Sequence, residues 1–229
     1  MNTPGGNSVS TAEHSVAMMM ALARNVPRAT ASMKAGIWEK SAFTGIELAG
    51  KTVAVLGMGR VGREVAARAN GLGMRVLGYD PFMTDETIQS YGTQPAGLEQ
   101  IWAEADVLTF HLPLTPQTKH YLSTEQLAQC KNGVRVINCA RGGIVDEVAL
   151  LAGLESGKVA GAALDVHDPE PPDLTQPLFQ LPQVIATPHA AFYSEEALHD
   201  LRSCASRQIV ACLTGQRPDH VVNPEVLAD

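Results

Sequence analysis

Residues 51–62 read KTVAVLGMGRVG, and this stretch decides the fold. The run TVAVLG, at 52–57, shows no apolar–polar alternation, as expected of a strand covered on both faces. Glycines follow at 57, 59 and 62, and a helical segment comes after them, so the G-x-G-x-x-G spacing joins a strand to a helix. Gly57 permits a tight turn, Gly59 leaves room for a pyrophosphate beside the backbone, and Gly62 lets helix and strand pack closely. The start of the helix adds free N–H donors for the phosphates. The next strand candidate, RVLGYD, ends on Asp80, 18 residues past Gly62, where a carboxylate can accept both ribose hydroxyls. It would repel a 2′-phosphate, so the cofactor expected is NAD. A glycine turn with no ligand is the bland alternative, and the agreement of strand, loop, helix, strand and acid weighs against it.

The same alternation continues outward. DVLTFHL, RVINCA, GAALDV and VIATPH are further strand candidates, which makes six with the two above. Helices are expected over 60–72, 98–105, 123–129 and 146–156. The fold class expected is therefore α/β, a doubly wound parallel sheet of the Rossmann type with long flanking helices. Ahead of it, Ser10-Thr11-Ala12-Glu13 has the form of a capping box, opening a helix that runs to about Asn25 and is stopped by Pro27. Behind it a helix over 194–213 is followed by an extended VVNPEVL tail.

Composition narrows the partners. A net charge of -7, with Lys and Arg scattered along the chain, argues against nucleic acid or an anionic membrane as partner. The apolar run at 16–23 is too short to span a bilayer, and its first basic residue follows it, the reverse of a signal peptide. Cys130, Cys139, Cys204 and Cys212 show neither metal-ligand spacing nor a disulfide framework, so no metal and a cytoplasmic location are expected.

Three stretches close the later strands: NCARGGIVDE at 138–147, LDVHDPEPP at 164–172 and TPHAAFYSEE at 187–196. Ligands of open α/β sheets bind at that edge. An arginine, a carboxylate and a histidine meeting there suit hydride transfer to or from a 2-hydroxy acid. Arg141 can hold the substrate carboxylate in a bidentate pair. His189 can take the hydroxyl proton or return it. Glu170, paired with His189, would orient the ring and favour its protonated form. Taken singly, each also has a structural explanation: a surface ion pair, a solvated loop, a Pro-His strand end.

GMGRVG, NCARGGIVDE, ALDV with its following Glu, and TPH together resemble the NAD-dependent D-2-hydroxyacid dehydrogenases. NTPGGNS, ATASMKAGIWE and QCKNGVRVINCARGGIVDE are most similar to the phosphoglycerate dehydrogenase branch, and the likeness covers essentially the whole chain. The resemblance implies that Arg141, Glu170 and His189 are the catalytic trio, with Arg141 and His189 also touching the cofactor. It places Arg60 and Val61 on the pyrophosphate, Tyr79, Asp80 and Pro81 around the adenosine ribose, and His111, Leu112, Pro113 and Thr118 on the adenine side. Cys139, Ala140 and Asp165 would meet the nicotinamide, Asp165 at its carboxamide. The substrate implied is a small 2-hydroxy or 2-oxo acid such as 3-phosphoglycerate, with a place in serine biosynthesis. One stretch departs from that branch. HAAFYSE after His189 looks more like the C-terminal-binding-protein co-repressors, with Phe192 where those carry a tryptophan.

The resemblance also suggests how the chain divides. Residues 1–35 would hold a helix crossing from a substrate lobe, 36–192 the NAD-binding domain, and 193–229 a return helix and tail. MNTPGGNS matches the segment just before the crossing, so the substrate lobe is expected to lie outside this sequence, and serine feedback is not expected. The apolar faces of the crossing and return helices would then need another partner, and a homodimer through the crossing helix is expected. Two functional readings stay open: a dehydrogenase of reduced competence, and a non-catalytic NAD(H)-binding module or redox sensor.

Overall fold

The structure, a computed structural model, describes residues 1–227. Its frame is a sheet of seven parallel strands: β1 (Thr52–Leu56), β2 (Arg75–Tyr79), β3 (Gln94–Pro95), β4 (Val107–Phe110), β5 (Val134–Asn138), β6 (Val159–Leu164) and β7 (Val184–Ala186). They lie in the order β3-β2-β1-β4-β5-β6-β7, so the order reverses between β1 and β4. At such a reversal the connections leave in opposite directions and open a crevice at the carboxyl ends of the strands. The six expected strands are all present. β3 is an addition, two residues long and without an apolar run.

Side chains alternate across this sheet into two cores. Ala54 and Leu56 of β1 and Leu108 and Phe110 of β4 enter one, packed under α5 (Leu98–Glu104), α6 (Thr124–Gln129), α7 (Glu147–Glu155) and α8 (Pro177–Gln180). Val53 and Val55 of β1 and Ile137 of β5 enter the other, under α1 (Ser8–Ala23), α3 (Arg60–Gly71) and α4 (Asp85–Ser90). Both faces are thus covered, which explains why the strands read as continuous apolar runs. Two further helices are α2 (Val26–Lys34) and α9 (Glu195–Leu213). Among the described residues no helix is long and apolar enough to cross a membrane.

Several expectations about the flanking segments need correction. α1 starts at Ser8 behind Asn7, not at a Ser10 capping box. Ser10 Oγ instead donates to the Ala191 carbonyl at 2.9 Å, and Glu13 pairs with Arg68 at 3.0 Å. Pro27 does not simply stop the helix. Asn25 turns the chain in the left-handed conformation, and Pro27 occupies the first turn of α2, where its missing N–H has no partner to lose. Nor does α1 carry an unpartnered apolar face, because Ala12, Val16, Met18, Met19 and Leu22 are buried against α3 and the sheet. α9 buries only Ala197 and Gln208. Its Gln208 donates to the Asn2 carbonyl and accepts from the His220 N–H, and the tail forms a 3-10 turn at Pro224–Leu227 in place of an extended strand. Residues 228–229 of the expected C-terminal segment lie outside the described residues.

Candidate active site

The crevice at the carboxyl ends of the strands holds a cavity of about 290 Å³. Val61 borders it from the start of α3, His111, Leu112 and Pro113 from the end of β4, Cys139, Ala140 and Arg141 from the end of β5, and His189 and Phe192 from beyond β7. Asn7, at the N-cap of α1, and Thr11 in its first turn also border it.

The glycine loop meets a physical test for a dinucleotide. Gly57 has φ +96°, and a Cβ there would stand 2.5 Å from the His111 carbonyl oxygen. A Cβ on Gly62 would collide with the Gly57 carbonyl oxygen at 1.9 Å. These two glycines are required by packing. A Cβ on Gly59 would meet nothing within 4 Å, so this glycine faces open space at the N-terminus of α3, whose first N–H groups have no side-chain cap. An anion fits such a place. Asp80 steadies the loop from the end of β2: Oδ2 accepts from the Met58 N–H and Oδ1 from the Phe82 N–H, both at 3.0 Å. With Tyr79, Asp80 also borders a second cavity of about 350 Å³.

Asn138 shapes the arginine turn. Buried at the end of β5, it accepts from the Ala140 N–H at 3.1 Å and donates to the Arg141 carbonyl at 3.0 Å. Arg141 is exposed, and Nη1 donates to the Ala140 carbonyl at 2.6 Å. Among the described residues no carboxylate pairs with it, which leaves the guanidinium for an external anion.

His189 and Glu170 are brought together as expected. His189 Nδ1 lies 2.8 Å from Glu170 Oε2, and Oε1 of the same carboxylate accepts from the His167 N–H at 2.9 Å. A carboxylate only accepts, so Nδ1 carries the proton in this pair and Nε2 is the ring's open position. Partial burial opposes the Glu170 charge, but the hydrogen bonds from His189 and His167 outweigh it and hold the carboxyl below its ordinary range. His189 itself has a left-handed backbone, φ +53°, which is uncommon outside glycine. Phe192 stands edge-on to the imidazole at 6.5 Å and against Tyr193 at 4.0 Å.

Other expected residues are placed differently. Asp165 does not border the cavity. Its side chain is fully buried, and its carboxylate accepts from Thr187 Oγ1 and from the N–H groups of Ala190 and Ala191, so it braces the histidine loop. Burial works against its charge, and the hydrogen bonds from His14, Thr187, Ala190 and Ala191 overcome that and hold the carboxyl below its ordinary value. His111, Leu112 and Pro113 border the same cavity as His189. Burial pushes the His111 imidazole down to about 3, so the ring is neutral, with Nε2 2.9 Å from Thr109 Oγ1. Thr118 shapes its own loop by donating to the Pro113 carbonyl, and neither it nor Arg60 or Pro81 borders either cavity. Cys139 is a buried thiol, pushed up to about 12 by burial, that borders the cavity beside Ala140. Asn7, Thr11 and Asn138 escaped the sequence reading. The Asn7/Thr11 spacing of four on a helix start was a usable signal, whereas nothing local marks Asn138.

Comparison with known proteins now bears on these features. Residues 16–191 match the family described as D-isomer specific 2-hydroxyacid dehydrogenase, NAD binding domain. The chain belongs to that family. D-3-phosphoglycerate dehydrogenase of Rattus norvegicus is 49% identical over 227 residues, 99% of this chain and 42% of that protein. The Bacillus subtilis protein of the same name is 46% identical over 215 residues, 94% of this chain and 41% of that protein. The chain therefore spans less than half the length of these curated relatives. Among solved structures, the TT0316 protein of Thermus thermophilus superposes with a TM-score of 0.88 at 35% identity, over 96% of this chain and 70% of that one. D-lactate dehydrogenase with NAD+ from Lactobacillus jensenii gives 0.85 at 29%, again over 96% and 70%. As an NAD-binding domain of this dehydrogenase family, the chain keeps the parallel sheet and the glycine loop that serve the cofactor.

Proposed function

We propose that the chain supplies the cofactor-binding and proton-transfer groups of an NAD-dependent oxidoreductase that interconverts a small 2-hydroxy acid and its 2-oxo acid. The observation that carries this is the Glu170–His189 pair at 2.8 Å, with His189 bordering the same cavity as Arg141. Bound NAD supplies the hydride acceptor for oxidation and, in its reduced form, the donor for reduction. Gly59 and the first N–H groups of α3 would hold its pyrophosphate, and Asp80 its adenosine ribose. Arg141 fixes the substrate carboxylate. His189 Nε2 takes the hydroxyl proton as the carbinol C–H bond breaks, and returns it in the opposite direction. Glu170 balances the imidazolium charge and fixes the ring, and Phe192 forms an apolar wall beside it.

The name shared by the curated relatives supports 3-phosphoglycerate as the substrate, and a place in serine biosynthesis stays part of the proposal. The division at 1–35, 36–192 and 193–229 remains part of the proposal, with the first segment packed on the sheet. The homodimer is proposed through the exposed Met33 of α2 and Ile37 and Trp38 just beyond it, in place of the buried face of α1. A monomer by light scattering at micromolar concentration overturns that contact.

The test is NADH oxidation with 3-phosphohydroxypyruvate, hydroxypyruvate and glyoxylate, alongside a fluorescence titration of NADH. Turnover lost in His189→Ala is the expected result. A second reading, a non-catalytic NAD(H)-binding module or redox sensor, draws support from the way Arg141 folds back on the Ala140 carbonyl. Tight NADH binding with no turnover on any of the three acids selects it.

A further inference from the structure

A chain of polar contacts behind the His189 loop reaches α1. His14 Nε2 lies 3.2 Å from Thr187 Oγ1 and 3.5 Å from Asp165 Oδ1. Thr187 Oγ1 lies 2.5 Å from Asp165 Oδ1. Asp165, ionised, can only accept, so the single hydroxyl proton of Thr187 goes to it. The hydroxyl oxygen must then accept from the other side, and His14 Nε2–H is the donor in reach. His14 thus faces both Thr187 and Asp165 as a donor, and Thr187 donates to Asp165.

The far end of the relay holds the backbone of the histidine loop. Asp165 accepts from the N–H of Ala190 at 2.8 Å and of Ala191 at 2.9 Å, the two residues that follow His189. The His189 N–H itself donates to the carbonyls of Asp165 and Thr187. His167 Nε2 lies 3.0 Å from the Thr187 carbonyl and secures that residue from its other side. A left-handed, non-glycine backbone is strained and persists only where surrounding bonds over-determine it. These bonds do so at His189.

We propose that His14 is a positioning residue for His189, holding it in place through Thr187 and Asp165. The inference rests on the dehydrogenase reading for its kinetic consequence alone, since the structural consequence is measurable in the chain without substrate.

The test compares His14→Phe with His14→Gln in the full chain. Phenylalanine keeps a ring without a donor, whereas the glutamine amide returns a donor at a similar reach. The first readout is amide hydrogen exchange at Ala190 and Ala191. The expected result is exchange roughly tenfold faster in His14→Phe, as for loss of a bond to a charged group, with the β1 amides unchanged and protection restored in His14→Gln. The second is kcat, expected to fall roughly tenfold in His14→Phe and recover in His14→Gln, while the NADH Kd stays within about twofold. Unchanged exchange at Ala190 and Ala191 in His14→Phe overturns the proposal, as does an equal loss of protection at β1. Should His14→Phe not fold, Thr187→Val removes the relay hydroxyl at nearly constant shape. It must then give the same local loss, and its failure to do so overturns the proposal as well. A parent chain without turnover refutes the dehydrogenase reading and leaves the exchange comparison decisive for His14.

Discussion

Alanine at Gly59 and alanine at Gly62 should separate cofactor binding from folding. At Gly62 the added carbon would lie 1.9 Å from the Gly57 carbonyl oxygen and 3.3 Å from Val55 Cγ1. Backbone must therefore move by about 1 Å in a packed strand–helix junction, and overpacking of this kind costs roughly 1–3 kcal/mol or more. For a chain of this length each 1 kcal/mol lowers Tm by about 2–4 °C, so Gly62→Ala should melt about 2–12 °C below the parent. At Gly59 the added carbon meets nothing within 4 Å, and φ is -64°, a value any residue adopts. There alanine restricts the unfolded chain but is a poorer N-cap for α3 than glycine, so stability should change by no more than about 1 kcal/mol. The same methyl fills the space assigned to the pyrophosphate, so NADH affinity should drop by roughly tenfold or more, about 1.4 kcal/mol. Thermal melts by circular dichroism and NADH fluorescence titrations read the two effects independently. A Gly59→Ala chain that binds NADH as the parent does, or that melts as low as Gly62→Ala, refutes the assignment of the open space to the cofactor.

Three further outcomes are expected. Glu170→Gln keeps an acceptor for the His167 N–H but removes the charge facing His189, so steady-state kinetics should show kcat lowered by roughly 10- to 100-fold with NADH affinity retained; an unchanged kcat removes Glu170 from the mechanism. The Asp165 carboxyl is held below its ordinary 3.8, so the unfolded chain binds the proton first as pH falls. Its stabilisation is complete above that value and is lost as pH drops through the lower folded one. Acid unfolding curves should therefore be shallower below pH 3.8 in Asp165→Asn, and an equally steep curve contradicts the linkage. In the native chain iodoacetamide at mildly alkaline pH should label the exposed Cys212 and spare Cys139, which burial pushes up to about 12; mass spectrometry showing early carboxymethylation of Cys139 counts against the packed thiol.

How much was legible in the sequence follows from how local each feature is. The strands buried on both faces left unbroken apolar runs, and β1 and α3 around the glycine loop could be placed to within one residue at each end. β3 is two residues of edge strand, too short and too polar to leave a pattern. α2 was hidden because a proline is equally at home one residue past a helix end and inside the first turn of the next helix, and only the left-handed turn at Asn25 distinguishes the two. The arginine, glutamate and histidine could be singled out by their chemistry at strand ends, and Glu170 and His189 do meet. The brace beneath them could not. His14, Asp165 and Thr187 come from three distant segments, and a buried aspartate that serves as an anchor looks, in sequence, the same as one that touches a ligand.

α1 has a bearing on how the polypeptide can be divided. Its Met18, Met19 and Leu22 roof one side of the sheet together with α3, as much a part of that layer as any helix wound between the strands. A fragment starting at residue 36 would keep the glycine loop, the arginine and the histidine, yet it would be an open sandwich with one slice removed. Val53, Val55, Ile137 and Ala163 lie in the core on that side and would lose part of their cover. Such a bare apolar face favours self-association over folding. The family resemblance begins at residue 16, inside this helix, and a boundary drawn by likeness is thus a poor guide to where the chain can be cut.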